Sequence, residues 1–296
     1  MMNLVDAMQI KYGAAKRWQR FALACALVVL LAGLSTRVPA LTLWTGWIAT
    51  GVFLLQLTGF GMKQASAHFA GEGEQIRRMA MLKDGLGVDP PKTRVAQVQL
   101  SIDGAKTSEP AYVGPYYDSE YEIGPRRLID ITTECAFFTG CNARFFSRFL
   151  IGFALAAIAV TVFVFFGIVS SSGDANTIHA AAKVFIASML FWITGELTTT
   201  VLTLRGVADC CDKLLEAGER QLNEPADEGR DRNVAISLFA DYNAAVAKSP
   251  LVPGWVYGWR RDAMNNAWKS RKHPATTAAN PPHSAAAPAA AEHTKP

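Results

Sequence analysis

Residues 149–169, Phe-Leu-Ile-Gly-Phe-Ala-Leu-Ala-Ala-Ile-Ala-Val-Thr-Val-Phe-Val-Phe-Phe-Gly-Ile-Val, contain no charged side chain. A bilayer's hydrocarbon core takes about 20 residues of helix, so this run reads as a membrane span. Hydrocarbon offers the backbone no water, so a span must bond its own N–H and C=O groups, which requires a helix. Arg144 and Arg148 precede the run, and Ser170-Ser171-Ser172-Gly173-Asp174 ends it.

Three further apolar runs flank it. The fourth run follows at about 178–204. The second covers 41–62, and the first covers 21–34 with Trp18 and Ser35 at its edges. The first also resembles the apolar part of a signal peptide. Its long N-terminal flank, the lack of a small-x-small cleavage site and the second run that follows at once argue for a span. The breaks within each pair are too short to hold a domain. The expected fold is therefore mainly α, with four transmembrane helices in two antiparallel hairpins and helical cytoplasmic extensions. The expected segments are 1–62 (N-terminal segment and first hairpin), 63–148 (cytoplasmic insert), 149–204 (second hairpin), 205–272 (C-terminal cytoplasmic helices) and 273–296 (a disordered Ala/Pro/Thr/His tail).

Composition agrees with a membrane chain. Half of the 296 residues are hydrophobic and 18% are charged, against about 25% in a typical soluble domain. The net charge of +4 is modest, and no dense Lys/Arg run interleaved with aromatics marks a surface for polymeric nucleic acid. Lys and Arg are also unevenly placed. Eleven lie between Lys63 and Arg148 and twelve from Arg205 onward, but the first hairpin loop holds only Arg37. The positive-inside rule puts both termini and the insert on the cytoplasmic side. Trp18, Trp44, Trp47 and Phe149 stand where interfacial aromatics are expected.

Glu196 is the only carboxylate well inside a run. Ser188, Trp192, Glu196, Thr199 and Thr203 share a face by their three- and four-residue spacing. An acid at such a depth usually faces a protein interior or water. Two readings stand: a stripe of Ser188, Glu196, Thr199 and Thr203 that lines a pore on assembly, or ordinary packing with hydroxyls bonded to backbone. The small residues Gly46, Gly51, Gly59 and Gly61 suit close helix contact in the first hairpin.

Outside the runs, helix continues from 62 to about 86. Residues 95–102, Val-Ala-Gln-Val-Gln-Leu-Ser-Ile, alternate like a short strand, with helix as the alternative. Residues 103–124 read as loop. Pro125 opens a helix at a first-turn position, and Leu128, Ile131, Cys135, Phe138 and Phe145 carry its period into the third run. Helix then resumes at 206–222, 233–248 and 255–272, with a turn at 223–232.

No phosphate-cradling glycine loop, serine elbow or paired histidines occur, so no catalytic site and no metal site are expected. The five cysteines, Cys25, Cys135, Cys141, Cys210 and Cys211, fit no disulfide or zinc spacing and read as reduced thiols. Tyr116, Tyr117, Arg126 and Arg127 form the one candidate ligand site. Arginines at a helix start favour an anion, and tyrosines can stack on a base. The plainer alternative is a loop packed on its own helices.

Three of these segments carry a resemblance. Residues 77–87 (RRMAMLKDGLG), 115–149 (PYYDSEYEIGPRRLIDITTECAFFTGCNARFFSRF) and 238–268 (LFADYNAAVAKSPLVPGWVYGWRRDAMNNAW) resemble the SMODS-associated four-transmembrane effectors, pore-forming proteins of bacterial cyclic-oligonucleotide anti-phage systems. The likeness spans roughly 10–272. The stretch 95–110 and the Pro/Ala tail depart from it. The matching motif positions are Tyr116, Tyr117, Ser119, Pro125, Arg126, Arg127, Asp241, Tyr242, Asn243, Arg260, Arg261 and Asn265. The resemblance implies a homo-oligomer in the lipid bilayer that breaches it when a cyclic oligonucleotide, made by a partner synthase, binds. It implies no other cofactor and no enzymatic activity. The competing expectation is a non-conducting scaffold or sensor whose cytoplasmic helices recruit a partner.

Overall fold

The computed structural model describes residues 3–35, 45–102, 116–171, 196–247 and 249–272, together with Ala182 and Phe185. Every regular element among them is an α-helix, as expected for a mainly α chain. The helices are α1 (Leu4–Ser35), α2 (Thr45–Leu86), α3 (Lys92–Ile102), α4 (Pro125–Ser171), α5 (Glu196–Asn223), α6 (Glu228–Ala247) and α7 (Gly254–Lys272).

Helix α4 organises the rest. Its 47 residues make a rod about 70 Å long. The Gly124 carbonyl accepts from Leu128 N at 3.2 Å, so Pro125 sits in the first helical position, where its missing N–H costs nothing. The helix then runs without a break into the apolar stretch that begins at Phe149. The two parts differ in surroundings. Leu128, Ile129, Ile131, Thr132, Ala136 and Ala143 are buried, whereas Phe153, Leu155, Val160, Phe163, Val164 and Phe166 are exposed. Among the described residues, α4 is the one helix long and apolar enough to cross a membrane.

Three helices cover the buried half of α4. Helix α5 runs antiparallel to it, with Gly218 against Thr133, Gly140 against Cys211 and Arg144 paired with Asp212. The two glycines set the closeness of this contact, because a Cβ at Gly140 would stand 3.0 Å from the Cys211 Cβ. Helix α6 runs parallel to α4, from Arg126–Asp231 at one end (3.4 Å) to Thr139–Tyr242 at the other (2.9 Å). Helix α7 returns antiparallel. Lys272 meets Asp130 at 3.2 Å, Trp268 packs on Phe137 and Phe138, and Trp255 packs on Phe149. The core they enclose includes Met81, Leu128, Ile131, Leu204, Leu238 and Tyr242, and each such side chain contributes about 1.5–3 kcal/mol by leaving water.

Helices α1 and α2 form a second antiparallel pair. Tyr12 bonds Glu74, Ser66 Oγ donates to the Ala15 carbonyl at 2.8 Å, and Gly59 lies under Cys25. The end of α2 crosses the start of α4 at Gly85, where a Cβ would lie 3.0 Å from Leu128. Gly87 then ends α2 with φ of 69°, a left-handed value that suits glycine, and its N–H returns to the Lys83 carbonyl at 3.0 Å.

The two groups of helices share one level. Gln19 Nε2 on α1 donates to the Leu251 carbonyl at 3.2 Å, just before α7, and Trp255 at the start of α7 packs on Phe149 of α4. Beyond that level α1 exposes Phe21, Leu23, Leu27 and Val28. Helix α2 there exposes Phe60, Leu57, Leu54 and Phe53, and α5 exposes Leu202. With the outer half of α4 these residues make a common apolar belt on the surface.

Two expectations need correction. Residues 92–102 are helical, so the strand reading of 95–102 is wrong. The Pro91 carbonyl accepts from Val95 N at 3.1 Å, which starts a helical turn. Val98 and Ile102 then pack on Val5, Met8 and Ile76, while Leu100, which strand alternation would place on their face, is exposed. The turn expected at 223–232 is also too long, because α6 begins at Glu228. Asp227 caps it by accepting from Arg230 N at 3.1 Å, and Asp231 reaches back to Asp227 N at 3.2 Å. The first hairpin's loop, most of the fourth apolar run and the tail from 273 lie outside the described residues.

Candidate functional site

Among the described residues Arg77 is the one buried arginine. Its neighbours Ile76, Ala80 and Met81 are buried, and Arg77 itself is only 8% exposed. A buried guanidinium needs a counter-charge and partners for its N–H groups. Glu74, one turn earlier, supplies the charge: its Oε2 accepts from Arg77 Nε at 2.9 Å and from Nη2 at 2.5 Å. Helix α6 supplies the rest. Arg77 Nη1 donates to the Tyr242 phenol at 2.5 Å, and Nη2 lies 3.5 Å from Asn243 Oδ1. The guanidinium also sits over the Tyr242 ring, 4.7 Å from its centroid. The Tyr242 oxygen meets Thr139 Oγ1 of α4 at 2.9 Å, and Tyr12 of α1 donates to Glu74. One cluster thus joins α1, α2, α4 and α6.

Its chemistry is that of a lock. Burial pushes the Tyr12 and Tyr242 phenols far above their ordinary range, so both stay neutral donors. Burial pushes the Cys135 and Cys211 thiols up to about 12, which removes them as thiolate nucleophiles. No group of three His, Cys, Asp or Glu side chains that could hold a metal occurs among the described residues.

The expected ligand residues lie around the start of α4. Arg126 donates to the carbonyls of Gln221, Leu222 and Glu224 and so caps α5, with the last two of these bonds at 3.1 Å and 2.5 Å. Arg127 holds Asp84 through both carboxylate oxygens at 3.1 Å and also donates to the Ser119 and Tyr121 carbonyls. Both guanidinium groups are therefore engaged by protein. Tyr116 packs edge-on against Tyr117, with ring centroids 4.8 Å apart, and Tyr117 is buried. The Tyr117 hydroxyl and Ser119 Oγ are enclosed with no hydrogen-bond partner among the described residues. These two groups retain binding capacity there.

Glu134, one helical turn past Asp130 on α4, lies beside them. Its Oε2 accepts from Asp118 N at 3.0 Å. Burial raises its carboxyl to about 7, against the lowering effects of that bond and of Lys272. No sequence feature singled it out.

The pore-stripe residues are described only in part. Ser188 lies outside the described residues, and so does the side chain of Glu196, the first residue of α5. Thr199 is exposed, and Thr203 Oγ1 donates to the Thr199 carbonyl at 2.8 Å. Of the other motif residues, Tyr242 and Asn243 join the Arg77 cluster, Asp241 and Arg261 are exposed, and Arg260 stacks on Phe145. Nothing in the sequence marked Glu74 or Tyr12, and Arg77 entered only as the first residue of the 77–87 stretch that carries the resemblance. No protein-family model, no curated protein and no solved structure matches this chain.

Proposed function

We propose that the chain is a multi-pass membrane effector. In this reading four helices span a bacterial inner membrane in two hairpins, with both termini and the helical bundle in the cytoplasm. The observation that carries it is the apolar belt: exposed Phe21, Phe53, Phe60, Phe153 and Phe163 stand beyond one level on three helices. Monomers in water rarely expose so much contiguous apolar surface. The unbroken α4 supports a coupling role, because it carries the bundle's core at one end and the apolar stretch at the other.

The trigger in this reading is a cyclic oligonucleotide held near Tyr116, Tyr117 and Ser119, where two enclosed hydroxyls lack partners among the described residues. The resemblance to the SMODS-associated effectors supplies the ligand class. A ligand shifts assembly only by as much as it binds the assembled state better. In assembled homo-oligomers Ser188, Glu196, Thr199 and Thr203 line the path across the membrane. The test is to express the chain with a cyclic-oligonucleotide synthase and follow membrane potential with a dye. Depolarisation that needs both proteins is expected. A potential that holds while the messenger accumulates removes the pore reading and leaves a non-conducting scaffold.

A further inference from the structure

Cys141, Arg144, Phe145, Arg148 and Arg260 line a recess of about 410 Å³ between α4 and α7. Residues 141, 144, 145 and 148 fall on one face of α4 by their spacing. Three arginines converge there without being fully spent. Arg148 is exposed and has no ion pair or hydrogen bond among the described residues. Arg260 gives one N–H to the Cys141 carbonyl at 3.5 Å and lies 5.0 Å over the Phe145 ring. Arg144 pairs with the half-exposed Asp212, the carboxylate that offsets part of the charge. Asp209 is a second, weaker negative influence on Arg144.

The position of the recess is as informative as its charge. Phe149, one turn from Phe145 and next to Arg148, opens the apolar stretch of α4. Trp255 and Trp259 stand beside the recess, both exposed, at 5.2 Å from Phe149 and 6.2 Å from Phe145. Exposed tryptophans and basic residues at the edge of an apolar belt mark a membrane–water boundary. Guanidinium groups match phosphate oxygens in charge and geometry.

We infer that this recess binds the phosphate of an anionic phospholipid headgroup, with the acyl chains lying along Phe149 and Phe153. The site rests on the membrane reading of α4 but is independent of any messenger. Arg148 and Arg260 hold the phosphate, Arg144 is shared between it and Asp212, and the two tryptophans flank the glycerol region. Bound lipid thereby ties α7 to α4 at the membrane surface.

The test uses the full chain in a mild zwitterionic detergent. Retained lipid is counted by native mass spectrometry during titration with phosphatidylglycerol or phosphatidylcholine. Wild type should retain phosphatidylglycerol and not phosphatidylcholine. Arg148→Gln with Arg260→Gln should weaken retention by about tenfold or more, the scale expected for two arginines at an anionic surface. The pair Arg148→Lys and Arg260→Lys keeps the charge and should retain most of it. Inorganic phosphate at matched ionic strength should not displace the lipid. Displacement at equimolar phosphate would mark a free-phosphate site and overturn the proposal. Carbonate extraction of the same membranes separates the two readings. Chains that resist extraction yet bind both lipids alike, or bind phosphatidylglycerol equally with and without the arginines, overturn the lipid site alone. A chain that carbonate strips off overturns the spanning reading and the site with it.

Discussion

Arg77 Nη1 donates to the Tyr242 phenol at 2.5 Å across 165 residues of sequence, and the same guanidinium covers the Tyr242 ring. This pair fastens the α1–α2 hairpin to the bundle around α4. Removing one member leaves a buried neighbour short of a partner. Tyr242→Phe strands an Arg77 donor and Thr139, at a cost of about 1–3 kcal/mol. Arg77→Met leaves Glu74 uncompensated and costs about 3–5 kcal/mol. Adding Glu74→Gln to Arg77→Met should recover part of the loss, because the orphaned charge is gone. Thermal unfolding in detergent measures all three, and a Tyr242→Phe protein as stable as wild type would show that the contact carries no weight.

The α4–α5 contact depends on glycine. A Cβ at Gly218 would collide with Thr133 Oγ1, which is held in place by its bond to the Ile129 carbonyl at 2.7 Å. Gly218→Ala therefore overpacks the contact and should cost about 1–3 kcal/mol, less the alanine's better helix propensity. Gly206 lies on the same helix with nothing within 4 Å of its Cβ position. Gly206→Ala should be neutral or gain up to about 1 kcal/mol. Melting temperatures of the two variants should move in opposite directions, and a matching loss in both would mean that α5 does not pack this closely.

How much of this the sequence foretells varies by element. The α4 helix is legible because Pro125, the spaced Leu128 and Ile131 and the charge-free run from 149 all point one way. The α3 segment is not, because Val98, Leu100 and Ile102 alternate as in a strand while Val95, Val98 and Ile102 keep a helical spacing. Only packing on Ile76 and Met8 decides between them. Arg126 shows a deeper limit. Its place at a helix start suggests an anion site, yet its partners are the last carbonyls of α5, some 95 residues away. Arg77 and Tyr242 are likewise unremarkable until folding brings them together. Hydrogen bonds across such distances follow from helix packing, which local periodicity does not encode.

Glu134 makes stability depend on pH. Its folded value of about 7 stands above its ordinary 4.5. Between these values the folded chain keeps a proton that the unfolded chain has lost. Stability from this group is therefore greatest below about pH 4.5, falls as pH rises through 7, and is level above. The span is on the order of 2 kcal/mol, discounted for partial exposure. Glu134→Gln mimics the protonated form. Its melting temperature should match wild type near pH 5 and exceed it near pH 8. Equal melting temperatures at both would show that Glu134 titrates normally.

Tyr117 separates folding from binding. Its buried hydroxyl has no partner among the described residues, so Tyr117→Phe should leave stability unchanged or slightly higher. If the messenger bonds that hydroxyl, the same variant should bind a cyclic oligonucleotide about tenfold more weakly. Arg126→Ala should behave differently. It removes the cap of α5 and the counter-charge of the buried Asp231, and lowers stability by about 2 kcal/mol or more. Calorimetric titration beside thermal melts distinguishes the two patterns. Unaltered affinity in Tyr117→Phe would move the ligand away from this loop.

The outer half of α4 gives predictions of opposite sign for a membrane span and for a surface helix. Val160 is 62% exposed and Phe163 is 78% exposed, both near the middle of the apolar stretch. On a surface in water, Val160→Arg or Phe163→Arg would raise solubility and leave the fold within about 0.5 kcal/mol of wild type. In a bilayer, an arginine at that depth costs about 2.5–3.5 kcal/mol or more, because the charge must be drawn towards water. It should therefore reduce membrane insertion and steady-state level. Trp259→Arg, at the boundary and 74% exposed, should do neither. Fractionation followed by carbonate extraction reads the result. Arginine at 160 or 163 should deplete the carbonate-resistant fraction several-fold while arginine at 259 spares it. Equal recovery of all three in the soluble fraction would place the belt in water.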